Sequence, residues 1–426
     1  MNDSLRKEAL KKIIEARNPI ETGIPLPFKG GTNRFDSYKI PLNCLVYNKK
    51  NGRISSRVKS YEKQYEEINS ESFEGKKLIE KFLWQAHMSD NKNTENSIVK
   101  NGQLVRGVVT SKGIIVDGNR RASILNKIYS EREKWEKQGK KDVDFAEYFI
   151  AIILPPDVTK EEVEKIETSL QMGDEDKVDY NPIEKYLKVK DLESSGLSPF
   201  DIAKLMGRDH RKINEYQNIM TLMEDYLSYF NYDGIYTQLD RREDLFIGLY
   251  NALKSYRQKT SKVKWNYGDL DIHELKCIAF DYIRNLYEGK SFRNIIHPGK
   301  DSIFCRDKRI WESFKESHFN KIESIKESLV NECLDENVGE DAIQVLRARD
   351  EDWGNQVKID FVENVSEGVS KIQDLNNANE PEKLIGKAKS SIEAMNVEGV
   401  EPFKKKFIRT QLDNLVKLIN DKIKNL

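Results

Sequence analysis

The sequence predicts an α+β N-terminal domain followed by a mostly α-helical region that contains a helix-turn-helix and ends in a C-terminal helical bundle. Three observations carry this. Apolar runs of strand character occur only before about residue 155. Beyond that point apolar residues recur at steps of three and four, the spacing of one helix face. Charged residues make up 33% of the 426 residues against 38% hydrophobic ones, and mean hydropathy is −0.70, which suits helices with broad solvated faces.

Taken in order, "MNDSLRKEALKKIIEARNP" reads as an amphipathic helix without the apolar core of a signal peptide. Residues 20–36, rich in Gly and Pro, read as an extended lead-in, so that 1–36 form one segment. The next, 37–155, holds candidate strands at "YKIPLNCLVYN" (38–48), "LVRGVVT" (104–110), "GIIVDG" (113–118) and "YFIAIILPP" (148–156). Candidate helices at 74–86 and 93–102 lie between them. Segment 156–232 is helical, with "VTKEEVEKIETSLQ" and "NPIEKYLKVKDLESSG" leading to a helix pair. In that pair Ser198 suits an N-cap, Pro199 the first helical position and Gly207 the end, and a second helix starts at about 208. Two helices joined by a tight Gly turn make a helix-turn-helix or an ordinary packing unit. A helical middle domain (233–318) and a C-terminal helical region (319–426) follow. Within them "SFRNIIHPGKDSIF" (291–304) reads as a loop carrying Arg293, His297 and Lys300. Ile408, Leu412, Leu415, Ile419, Ile423 and Leu426 mark a bundle helix too short for a long coiled coil.

Composition narrows the function classes. Lys+Arg and Asp+Glu each number 71, so any nucleic-acid surface must be local. No apolar run reaches the length of a membrane span. The scattered Cys44, Cys277, Cys305 and Cys333 form no CxxC pair and fit free thiols in a cytoplasmic protein. His87, His210, His273, His297 and His318 show no metal-ligand spacing.

The stretch with most chemistry is "VDGNRRASILNKIY" (116–129). A strand that turns through glycine into a helix leaves the first backbone N–H groups of that helix pointing outward beside its positive dipole end. Arg120 and Arg121 there work against the dipole by roughly 0.3–1 kcal/mol each, which an anion would offset. They are either surface charges or a phosphate clamp.

The order of segments resembles the ParB/sulfiredoxin superfamily, in particular ParB-like proteins with an appended helix-turn-helix. "IPLNCLVYNKKNGR" (40–53) looks like the first ParB box, with Asn48 and Arg53 at the family spacing. "SIVKNGQLVRGVV" (97–109) looks like the helix, Gly and strand before the ligand loop, and "IIVDGNRRASIL" is similar to the phosphate-binding box. "IETSLQ" (166–171) followed by "YNPIEKYL" (180–187) resembles the box and helix that lead into the helix-turn-helix. The resemblance implies a pocket for a nucleoside triphosphate, CTP or ATP, in which Gly118, Asn119, Arg120 and Arg121 cradle the phosphates, Arg53 also belongs to the nucleotide site, Glu167 or Gln171 lies near a Mg²⁺, and Gly102 forms the opposite wall. It also implies DNA binding and assembly as a homodimer or within a larger complex, as in plasmid partition. Arg208, His210, Arg211, Lys212 and Asn214, on the first turns of the second helix, are the DNA-contact candidates.

Where the family's fourth box presents Glu-Asn, this chain has Thr168-Ser169, with Glu167 the candidate Mg²⁺ ligand one residue away. A sulfiredoxin-type thiolate is excluded, because Asn119 stands where the nucleophilic Cys belongs. Relatives with an Asp-Gly-x-x-Arg form, linked to DNA modification and phage defence, keep an enzyme reading open: an NTPase, nuclease or kinase-type phosphotransferase using Asp117 and Glu167, while a helical scaffold of such a complex is the third reading. Asp117 equally suits an Asx turn.

Overall fold

The computed structural model describes residues 1–86, 88–137, 139, 143–172, 182–299, 301–377, 381–396 and 400–424. His87, Tyr180, Asn181, Lys300 and Leu426 lie outside this set. The chain divides into two compact units, Met1–Val365 and Ser366–Leu426.

In the first unit, helix α1 (Asp3–Glu15) precedes strands β1 (Glu21–Phe28) and β2 (Gly31–Pro41). The stretch expected as an extended lead-in is therefore a hairpin. Its two-residue turn places Lys29 (φ 49°) and Gly30 (φ 77°) in the left-handed region, as a tight hairpin requires. Pro25 and Pro27 obscured it in the sequence. They are two residues apart, so their missing N–H groups fall on one side, and β1 is the edge strand of the sheet. The strand expected over 38–48 accordingly ends at Pro41; a 3₁₀ turn follows (Leu42–Cys44), then a single bridge between Val46 and Ile114.

Helices α2 (Ser55–Gln64), α3 (Phe73–Ala86) and α4 (Met88–Asn101) lead to β3 (Gly107–Val109) and β4 (Ile115–Asp117). After α5 (Asn119–Ser130) and α6 (Arg132–Lys137), β5 (Tyr148–Ile153) enters the middle of the sheet. The order is β1-β2-β5-β3-β4, with β3 and β5 parallel and the other pairs antiparallel. Side chains alternate along these strands. Val109, Ile115, Phe149, Ala151 and Ile153 join a core with Ile79, Phe82, Ile124, Leu125 and Ile128 of α3 and α5. Val108, Val116 and Ile152 point the other way, to Ile166 of α7 (Lys160–Met172). Both faces are covered, so the short central strands are apolar at nearly every position.

The remainder is helical. Helices α8 (Pro182–Ser194), α9 (Pro199–Met206) and α10 (His210–Tyr229) share a core of Val189, Leu192, Leu197, Ile202, Ala203, Met206 and Ile213. Ser198 accepts from the Asp201 amide and Gly207 is left-handed (φ 61°), as the sequence punctuation predicts. Then come α11 (Glu243–Arg257), α12 (Asp269–Arg284), α13 (Gly289–Ile296), α14 (Ile303–Arg306), α15 (Lys308–Glu323), α16 (Val330–Glu336) and α17 (Ala342–Asn377). The expected loop at 291–304 is thus mostly the end of α13 and the start of α14. Phe292, Ile295, Ile296, Ile303 and Phe304 are buried there, an apolar periodicity too short to recognise in sequence. Helices α18 (Pro381–Glu393) and α19 (Pro402–Lys424) belong to the second unit, and α19 carries Ile408, Leu412 and Leu415 half-buried. No described helix is long and apolar enough to cross a membrane.

Candidate functional site

The Asp-Gly-Asn-Arg-Arg turn is fixed from below by one ring. Gly118 N-caps α5 at φ 107°, and a Cβ there would lie 2.6 Å from Cζ of Phe149. A Cβ on Gly107 of the neighbouring strand would lie 2.2 Å from the same atom. Phe149 itself is fully buried. The glycines let strand and turn settle onto the ring. Gly118→Ala is expected to cost about 1–3 kcal/mol from overpacking, plus the strain of a left-handed alanine. Thermal unfolding checks this, with the Phe149→Leu background expected to recover part of the loss.

Above the ring is a cleft of about 270 Å³ lined by Arg53, Asp117, Gly118, Asn119, Arg120, Arg121 and Gln171. Seven residues singled out in the sequence thus meet in one place, from β4, the α5 N-terminus, the α7 C-terminus and the loop before α2. Asn51 and Thr94 join them. These two escape sequence reading, because neutral polar side chains on a loop and a polar helix have no diagnostic spacing. Gly102 stands apart: it follows α4 in a left-handed conformation (φ 72°) and does not line the cleft.

The roles within the cleft differ. Asn119 is buried and turned inward; its side chain accepts from the Asn48 amide at 3.2 Å and donates to the Asn48 carbonyl at 2.8 Å. It joins the first-box loop to α5. Arg121 pairs with Asp117 at 2.5 Å and donates to the Val105 carbonyl at 3.2 Å. Arg120 has neutral partners: Nε donates to Asn91 at 2.6 Å and one terminal nitrogen to Thr94 at 3.0 Å. Among the described residues it forms no ion pair. Burial, with Arg53 close by and Arg121 beyond, holds its pKa below the ordinary guanidinium value, against the pull of Asp90. Gly118 offers no side-chain cap, so the first amides of α5 open into the same space.

Glu167 does not line this cleft. It is buried on α7, lines a separate cavity and accepts from Lys188 of α8 at 3.2 Å. Burial pushes its pKa up while Lys188 pulls it back. An ammonium group on this carboxylate repels a divalent cation, and among the described residues no three His, Cys, Asp or Glu side chains gather. Glu167 is thus engaged by Lys188 rather than open to a metal ion.

At the helix pair, Arg208, His210, Arg211, Lys212 and Asn214 are all exposed on and just before the first turns of α10. Asp209 caps this helix by accepting from the Arg211 amide at 2.7 Å, and Lys212 pairs with Glu215 at 2.7 Å. Neither Arg208 nor Arg211 has an ion-pair partner among the described residues. No protein-family model, curated protein or solved structure matches this chain.

Proposed function

We propose that this chain is a nucleotide-responsive DNA-binding protein of ParB-like organisation, which holds phosphates at the Gly118–Arg121 turn and DNA through α10. The observation that carries the reading is Arg120. A half-buried guanidinium with neutral partners, beside an uncapped helix N-terminus, is suited to receive an anion. A cleft of about 270 Å³ is below the usual range for whole ligands, roughly 300–1,000 Å³, and suits the phosphate end of a nucleotide.

The same geometry weighs against phosphoryl chemistry by the chain itself. A general base must be free to take a proton, yet Asp117 is neutralised by Arg121 and Glu167 by Lys188. Binding without hydrolysis is the better-supported use of the cleft.

Calorimetric titration with CTP, ATP and GTP, with and without Mg²⁺, tests the pocket. At least one triphosphate is expected to bind, and Arg120→Ala to weaken it about tenfold to a hundredfold, the worth of one charged hydrogen-bonding contact. Silence from all three nucleotides would remove the reading. Phosphate release abolished by Asp117→Ala or Glu167→Ala would restore the enzyme alternative.

A further inference from the structure

Residues 245–268 contain Lys254, Arg257, Lys259, Lys262 and Lys264 and no Asp or Glu, in a chain whose charges balance overall. All five cations are exposed. The fold brings this segment against the helix-turn-helix. Helices α10 and α11 enclose a groove of about 810 Å³, with Arg211 and Lys212 on one wall and Lys254 and Arg257 on the other. Asn214, Asn218 and Thr221 continue the Arg211 stripe along α10 at steps of three and four.

The carboxylates of the groove are already engaged. Asp209 caps α10, Glu215 pairs with Lys212, and Asp225 pairs with Lys276 at 3.0 Å. Among the described residues Arg211, Lys254, Arg257, Lys259 and Lys262 form no ion pair, and only Lys264 has one, with Asp301 at 3.1 Å. Lys259 is held over the Tyr267 ring at 3.8 Å, which fixes the ammonium without neutralising it. The segment is also anchored. The Lys262 amide donates to Pro298 and the Lys264 amide to Cys305, while the Trp265 indole donates to Phe304 at 2.7 Å. The result is a row of uncompensated cations, running from the first turn of α10 across the groove to the C-terminus of α11 and the loop beyond.

We infer that this row is a second phosphate-contacting surface, on which Lys254, Arg257, Lys259 and Lys262 hold the backbone of a DNA duplex whose bases are approached by α10. The inference rests on the DNA reading above and extends the footprint to α11. Contacts of this kind carry no sequence information; they position the duplex and make binding salt-dependent.

The test uses the full chain and a labelled duplex of mixed sequence, with anisotropy read across a salt series. Lys254→Gln/Arg257→Gln/Lys259→Gln removes three exposed charges, and Arg208→Gln/Arg211→Gln tests α10 separately. The triple variant is expected to flatten the slope of log affinity against log salt by about 2–3, since each lost phosphate contact removes about 0.9. Its preference between duplex sequences should stay unchanged. An unaltered slope in the triple variant, with binding weakened by the α10 variant, overturns this inference and leaves the helix-turn-helix reading standing. A flattened slope in the triple variant alone supports the surface and removes α10 instead. Displacement of the duplex by polyglutamate as readily as by unlabelled DNA overturns the assignment to nucleic acid.

Discussion

Asp350→Ala is expected to destabilise the first unit by about 3–5 kcal/mol, the cost of removing one partner from a buried ion-pair cluster. Asp350 is buried on α17 and accepts from three elements at once. One oxygen takes the Arg284 Nε and the Tyr232 hydroxyl, both at 2.7 Å, and the other takes Arg242 at 3.3 Å. Arg284 has a second carboxylate in Glu327 and lies over the Trp353 ring at 4.4 Å. Among the described residues Arg242 has none, and its other hydrogen bonds go to the carbonyls of Asp240, Ile283 and Arg284. Alanine therefore strands one buried guanidinium outright and leaves a buried phenol without its acceptor. Chemical unfolding followed by circular dichroism measures the loss. A change below about 1 kcal/mol, the size of an exposed pair, would mean that the cluster is solvated.

The second large effect depends on pH. Glu184 of α8 is buried and accepts from Ser56, through its amide at 3.1 Å and its hydroxyl at 2.5 Å. Burial raises its pKa from 4.5 to about 7, with the Ser56 bonds opposing. The folded state thus holds a proton that the unfolded chain releases. The stabilisation from this proton is complete below pH 4.5 and is lost as pH rises to about 7, a span worth about 3 kcal/mol. Glu184→Gln replaces the carboxyl with an uncharged amide of the same shape. It should match the parent protein near pH 4, exceed it by up to about 3 kcal/mol at pH 8, and show a flatter stability profile between. Parallel profiles for the two proteins would sink the assignment.

What the sequence disclosed follows from how local each feature is. The α9–Gly207–α10 pair was legible because its cap, proline and glycine each act within one turn of their own position. The arginine turn was legible for the same reason, and the ordered boxes around it carried Arg53 and Gln171 into the same cleft. The β1–β2 hairpin was not, since Pro25 and Pro27 are permitted only by an edge position that no local pattern encodes. Nor was α2. Its buried face includes Ser56 and Ser60, whose hydroxyls are satisfied by Glu184 and by backbone, so apolar periodicity passes over it. Glu167 illustrates the same limit in the site. Its spacing from Gln171 gave no warning that Lys188, 21 residues on, lies against it. The cationic row on α11 went unread, because five basic residues in a chain of balanced charge acquire meaning only when packing sets them against α10.

Phe149 imposes a constraint of a different kind. One ring bounds the permitted size of residues 107 and 118, which precede it by 42 and 31 positions and belong to a different strand and a turn. Divergent descendants of this chain should therefore change these three positions together: a small aliphatic at 149 wherever a side chain appears at 107, and glycine at both wherever the aromatic persists. The shape of the cleft would then be inherited as a unit, and its loss would leave a correlated signature at three sites, none of which lines the cleft through a polar side chain of its own.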